Sequence, residues 1–276
     1  MRKAKDKTLK FLMSLCAAVT CLLLIGLIGY LLYRGIPGIN AKFLTTQTSY
    51  ISDSIGILPN ILNTLYLIVL VMIIVVPLGV GAAVYLTEYA SNKRISNAIG
   101  FAVETLTGIP SIIFGLVGML FFTQILGLRQ GILAGSLTLI IMVLPTVISN
   151  TKESLLAVPQ SYREGALALG SGKWHMVRTV VLPNAVDAIV NGCILAVGRV
   201  VGESAALLFT AGFGLKLLGF AEALQSSAAS LTVALYIYAS EEGKFDVAFS
   251  IAVILICITL IINLAASLVG KKVRKS

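Results

Sequence analysis

The sequence predicts an all-α polytopic membrane protein with six transmembrane helices. Residues of the set AVILMFWYC make up 58% of the 276-residue chain and charged residues 12%, whereas a soluble domain carries about 25% charged residues. The apolar residues gather in several runs of about twenty or more, long enough to cross a bilayer as helix. Spanning strands would alternate apolar and polar residues, and these runs do not.

The spans read, in order, as about 9–33, 61–87, 99–126, 131–150, 184–210 and 246–270. The first follows a basic start, Arg2, Lys3, Lys5, Lys7 and Lys10. Its apolar run is longer than a signal-peptide core and no small-x-small cleavage site stands out, so it is read as an uncleaved anchor. Pro77, Pro110 and Pro145 fall inside the second, third and fourth spans. Neighbouring helices can satisfy the carbonyls a proline frees, so none of the three need end its helix. The segment 211–245 starts with Gly212, Gly214 and Gly219, then carries the apolar patch Leu231–Ala239, too short to span. It is either a re-entrant or surface helix or a solvated loop with one amphipathic turn.

Basic residues orient the chain. With the N-terminus inside, the inner segments hold fifteen Lys and Arg, including Lys93, Arg94, Lys152, Arg163, Lys173 and Arg178, and the outer ones hold five. That bias puts both termini and the segment 152–183 in the cytoplasm, in a prokaryotic inner or plasma membrane. It also accounts for the net charge of +9 without nucleic acid. Cys16, Cys21, Cys193 and Cys257 all lie in apolar runs without metal spacing, so they are read as reduced packing residues. Neither a metal nor a cofactor site is expected.

Between the fourth and fifth spans, Glu164–Pro183 is polar and basic. Pro159 suits a first helical turn, Ala166, Leu167 and Ala168 propagate a helix, and Gly170 suits a left-handed helix end. A short helix, a glycine break and a second short helix would form a rigid knob, with small residues at 165 and 166 allowing close approach. His175, the sole histidine, is read as a surface or packing residue. Gly170-Ser171-Gly172-Lys173-Trp174 mimics the tail of a phosphate-binding loop. It has Leu167 where the first Gly belongs and Trp174 where Ser or Thr belongs, so nucleotide binding is not expected here.

The fifth span holds Arg199 and Glu203, four apart and therefore able to pair on a helix face. Gly198 and Gly202 form a small-xxx-small pair, and Asn184, Asp187 and Asn191 extend a polar stripe. Ionisable groups at this depth are costly and mark either a structural pair or a functional site. In the first reading Arg199 and Glu203 lock helices together. In the second, Arg199 offers its planar donor fork to a passing oxyanion while Glu203 orients or gates it. Glu88 and Glu104 lie near span ends, where they can snorkel. Glu104 also has a reading as a path-shaping residue.

Three stretches resemble one family. Glu164-Gly165-Ala166, three residues, Gly170, nine residues, then Val180-Val181-Leu182-Pro183 follow the coupling-loop pattern of ABC-importer permeases. The run GRVVGESAALLFTAG, with Ser204 after Glu203, resembles the fifth-span signature of phosphate-importer permeases, although Ala206 replaces a common Pro. The run Glu104–Gly115, containing GIPSIIFG, resembles their third-span signature. Together they look like the PstA-type permease subunit of a phosphate ABC importer. The resemblance implies a type I importer permease fold, without ATP hydrolysis by this chain. It implies a second, similar permease subunit, two ATPase subunits and an extracytoplasmic phosphate-binding protein as partners. It implies ATPase coupling through Glu164, Gly165, Ala166, Gly170, Leu182 and Pro183, and a substrate path past Arg199, Glu203, Ser204 and Glu104. The other solutes in view are sulfate, molybdate and phosphonate, and the partner-type phosphate permease is the alternative subunit. An intramembrane enzyme would need a motif such as H-E-x-x-H or G-x-S-x-G, and neither occurs.

The orientation is tested by single cysteines at Ser276 and Ser226 in a background lacking the native four. An impermeant thiol reagent applied from outside should label only position 226. Outside labelling of both positions overturns the topology.

Overall fold

The computed structural model describes residues 2–49 and 54–275. Helix α1 (Arg2–Gly35) leads through a short turn to α2 (Ala41–Thr45) and an antiparallel hairpin, β1 (Gln47–Ser49) and β2 (Ser54–Ile57). There follow α3 (Leu58–Val84), α4 (Lys93–Thr107), α5 (Ser111–Gly118), α6 (Ile132–Leu156), α7 (Gln160–Ala168), α8 (Lys173–Met176) and α9 (Leu182–Gly202). The chain closes with α10 (Ala205–Thr210), α11 (Phe220–Ala223), α12 (Leu231–Tyr236) and α13 (Phe245–Lys275). Wider π-type turns extend α3, α5, α8 and α12.

Helix α6 is the axis of the bundle. In its most apolar window 61% of residues are buried inside the chain, against 0% for α1. Its buried Leu139, Met142, Val143 and Val147 face Leu67, Val71 and Val75 of α3 and Ala196, Val197 and Val200 of α9. Gly79 of α3 lets the two helices close up, since a β-carbon there would sit 2.7 Å from Val147 Cγ1. Helix α1 is peripheral and lies along α13. Tyr30 meets Phe249 edge-on, and Arg34 donates to Asp246 at 3.0 Å while lying over the Phe249 ring.

Five helices, within 6–38, 58–89, 132–156, 173–202 and 245–268, are long and apolar enough to cross a membrane. Pro77 and Pro145 do sit inside continuous helices. The third expected span, 99–126, is not one helix. It breaks at Gly108–Pro110, where α4 and α5 meet at 101°. Pro110 adopts ψ 138°, and no N–H remains there to continue the ladder. The fifth expected span, 184–210, breaks as well. Helix α9 ends at Gly202, Glu203 turns extended with ψ 120°, and α10 restarts at Ala205.

The 211–245 segment is no solvated loop. Leu231, Val233 and Ala234 of α12 are fully buried, and Tyr238 nearly so. Ser227 Oγ accepts from the N–H groups of Phe213 and Gly214, and Ala228 and Ala229 donate to Ala211 and Gly214 carbonyls, so the chain folds back on itself. Asn60 and Asn63 of α3 both donate to the Ala229 carbonyl, at 3.0 and 3.1 Å. The hairpin docks on the same end of the bundle through Thr48 Oγ1 and Tyr238 Oη, 2.9 Å apart.

The close approach of α5 and α10 depends on Gly115, where a β-carbon would lie 2.7 Å from Ala206 Cα. Gly115→Ala should destabilise the subunit by about 1–3 kcal/mol, read as a lower unfolding midpoint in detergent. Gly81→Ala, where a β-carbon meets nothing within 4 Å, should leave the midpoint in place.

Candidate functional site

Apart from Glu104, the site residues expected from the sequence gather at two places, the knob 157–183 and the break at the end of α9. In the knob, α7 stops in a Schellman arrangement. Gly170 takes φ +81°, its N–H donates to Leu167 O at 3.0 Å, and Ser171 N–H donates to Ala166 O at 3.1 Å. This is the left-handed position that favours glycine. Beneath the knob lies an apolar cushion of Val84, Leu155, Val158, Met176, Val177, Val181 and Ala185. Gly165, Ala166 and Gly170 line one groove between α7 and the turn after α8, together with Leu169, which is 91% exposed, and His175. Glu164 is exposed on α7, and Leu182 and Pro183 open α9 outside that groove.

The knob is tied to the bundle by a residue pair that sequence reasoning missed. Arg163 Nε donates to Glu88 Oε1 at 3.0 Å, and Nη2 lies 2.9 Å from the same oxygen. Nη1 and Nη2 also donate to the carbonyls of Val158 and Leu155, both at 2.7 Å. The two side chains are only 11% and 6% exposed. Glu88 therefore does not snorkel, and every guanidinium nitrogen of Arg163 has a partner. The Leu155 carbonyl belongs to the last turn of α6 and Val158 lies just past its C-cap Ala157, so the cation also meets the helix dipole. The sequence held a signal for this: Glu88 closes an apolar helix and has a basic segment facing it. Lys173 adds a lesser contact, its Nζ 5.2 Å from the Tyr89 ring centroid.

At the other place, Arg199 and Glu203 do not pair. Helix α9 ends between them, so the i,i+4 geometry is lost. Glu203 is 8% exposed. Its Oε1 accepts from Ala206 N–H at 3.0 Å, capping α10, and its backbone carbonyl accepts from Thr232 Oγ1 at 2.8 Å. Arg199, half-buried, donates from Nη1 to Thr146 Oγ1 at 3.2 Å. Ser204 sits at the N-cap of α10, its carbonyl accepting from Leu208 N–H at 2.9 Å. Glu104 lies apart, exposed on α4, with no hydrogen-bond or ion-pair partner among the described residues. A β-carbon at Gly198 or Gly202 would meet nothing within 4 Å. The small-xxx-small face is therefore open in this chain and is not a contact within it.

A polytopic helical bundle with broken spans and a rigid knob at one end is the architecture of a membrane translocation subunit. The chain belongs to the family of binding-protein-dependent transport system inner membrane components, whose model matches residues 75–275. It is thus a multi-pass permease subunit of the ABC importer class, a membrane component and not the ATPase. A Bacillus subtilis (strain 168) protein described as a probable ABC transporter permease protein, YqgI, is 36% identical over 99% of this chain and 98% of its own length. The phosphate transport system permease protein PstA 1 of Mycobacterium tuberculosis (strain ATCC 25618 / H37Rv) is 35% identical over 71% of this chain, which spans 64% of that protein. The fold matches a chain of a bacterial alginate ABC transporter crystallised with a pentasaccharide-bound periplasmic protein, with TM-score 0.69, 17% identity, and coverage of 100% of this chain and 98% of that one. At that identity the likeness concerns the type I permease fold alone.

Removing Arg163 alone should leave the Glu88 carboxylate buried without its partner. Arg163→Met is expected to cost about 3–5 kcal/mol, seen as a lower unfolding midpoint and lower yield of folded subunit. The double change Arg163→Met with Glu88→Leu should recover most of that loss. Equal losses in the single and the double variant would show that the pair does not act as a clamp.

Proposed function

We propose that this chain is one of two permease subunits of an ATP-driven importer of inorganic phosphate. The observation that carries this reading is Arg199, a permanent cation set deep along α9 with most of its donor fork unspent. Arginine presents a planar fork that suits tetrahedral oxyanions, and phosphate is the solute named for relatives about one-third identical over two-thirds of the chain. Glu203 fixes the break beside it, with Ser204 at the start of α10. Glu104, by the same resemblance, would shape the path nearer the α4 end.

The remaining parts fit around that path. Both termini and the knob face the cytoplasm, where Glu164, Gly165, Ala166 and Gly170 seat in one of two ATPase subunits and Leu182-Pro183 passes the motion into α9. Asn184, Asp187 and Asn191 lie exposed along one face of α9, in line with open Gly198 and Gly202. A polar stripe on a membrane helix is costly against lipid, which supports a second, similar permease subunit and a watery path on that side. An extracytoplasmic phosphate-binding protein delivers the solute at the hairpin end.

The test is uptake of radiolabelled phosphate by the complete importer in liposomes with its binding protein. Phosphate should accumulate with ATP, whereas preferential uptake of sulfate, molybdate or phosphonate would overturn the substrate. Gly170→Val forces a β-branched residue toward φ +81°. It should leave the subunit in the membrane while abolishing solute-stimulated ATP hydrolysis.

A further inference from the structure

Many hydroxyl groups in the helices of this chain share one habit, although Ser136 of α6 and Thr232 of α12 do not follow it. Thr20, Thr64, Thr105, Thr138, Thr210 and Thr259 each donate to the carbonyl four residues back. This back-bonding uses up the proton and is the ordinary way a hydroxyl settles inside a membrane helix. Thr146 departs from it. Its oxygen accepts from Arg199 Nη1 at 3.2 Å, and among the described residues its proton has no acceptor.

The two arginines buried among helices differ in the same sense. Arg163 has a partner at each of its nitrogens, as a structural cation should. Among the described residues Arg199 has Thr146 alone. Thr146 lies mid-way along α6 and Arg199 in the last turn of α9, next to the break. Arg199 is roughly 25 Å along α9 from its start at Leu182, and Thr146 about 21 Å along α6 from Ile132, at 1.5 Å per residue. A half-buried guanidinium and hydroxyl at that depth, bonded to each other with other donors unspent, form an incomplete hydrogen-bond set.

We propose that Thr146 completes the oxyanion site of Arg199. Its oxygen holds one arm of the guanidinium, which fixes the direction of the fork, and its proton is donated to an oxygen of the bound anion. Arg199 supplies charge and two-point recognition, and Thr146 supplies a neutral third donor from the facing helix. The anion would thereby bridge α6 and α9, so its binding would depend on the separation of the two helices. The inference rests on the reading of Arg199 as the phosphate-path residue.

The experiment compares Thr146→Val, Thr146→Ser, Arg199→Lys and Thr146→Val with Arg199→Lys in the complete importer with its binding protein in liposomes. The readout is radiolabelled phosphate uptake per assembled complex. Valine keeps the shape and deletes the hydroxyl, so uptake should fall by roughly tenfold, the effect of one hydrogen bond to a charged group. Serine restores both oxygen and proton and should hold uptake near the parent rate. In the Arg199→Lys background, whose own rate is already reduced, Thr146→Val should add little because both changes strike one site. Three results overturn the proposal: parental uptake in Thr146→Val, a valine defect that serine does not rescue, or a valine effect of undiminished size in the Arg199→Lys background. A loss confined to the amount of assembled complex also overturns it. If Arg199→Lys and Arg199→Met both transport at the parent rate, the reading of Arg199 as a path residue fails first, and with it the premise.

Discussion

The ion pair between Arg163 and Glu88 is the constraint on which the knob depends. Without it, α7 would rest on the bundle by a partly exposed helix of nine residues, too short to hold itself in water. The clamp binds α7 to the turn after α3 through the carboxylate, and to the end of α6 and the turn after it through the carbonyls of Leu155 and Val158. It therefore fixes the knob against two membrane helices at once. Its near-complete desolvation makes it sensitive to any loss of one partner. The apolar cushion of Leu155, Val158, Met176 and Val177 excludes water around it. Charge, carbonyl and packing terms thus all favour one orientation of the loop.

The other end of the molecule is held by hydrogen bonds in place of charge. Helix breaks inside a membrane protein expose backbone groups that lipid cannot satisfy. The break at Glu203 is satisfied from both sides, since its carboxylate caps α10 and its carbonyl takes the proton of Thr232. Thr232 is bonded in turn to Ser230, and Leu231 N–H donates to Thr64 of α3. The folded-back segment 211–230 and α12 therefore serve as a polar brace for the interrupted fifth span. This explains why a stretch too short to cross the membrane is nonetheless buried among spanning helices.

Much of the architecture was legible in residue patterns. Long apolar runs place helices reliably because lipid demands continuous backbone bonding, and Pro77 and Pro145 behave as their neighbours allow. Gly170 was legible because a left-handed helix end has few solutions. The breaks were not. Pro110 follows Thr107-Gly108-Ile109 and precedes Ser111, a more turn-prone setting than Val75-Val76-Pro77-Leu78, but the apolar run continuing past it masked that signal. The pairing of Arg199 with Glu203 followed from helical spacing, which would hold only if the helix continued past Gly202. The partners actually used, Glu88 for Arg163 and Thr146 for Arg199, lie 75 and 53 residues away. One-dimensional spacing carries no signal at that range.

These two anchored places are joined by a single element. Helix α9 begins inside the cushion of the knob, at Leu182 and Ala185, and runs without interruption to Gly202 beside the break. Arg199 lies within its last turn. A helix of this length is stiff, so a tilt imposed on the knob is carried to Arg199 as a displacement of the guanidinium relative to Thr146 on α6. Motion can pass this way only if the knob cannot slip against α9, which the clamp and cushion ensure. It also requires that the far end can yield, and the extended backbone at Glu203 supplies that compliance. Rigid attachment at one end, a stiff rod, and a hydrogen-bonded joint at the other form a contiguous physical route between the knob and Arg199. On the proposed function, ATP-driven movement of the knob would open and close the Thr146–Arg199 seat through α9.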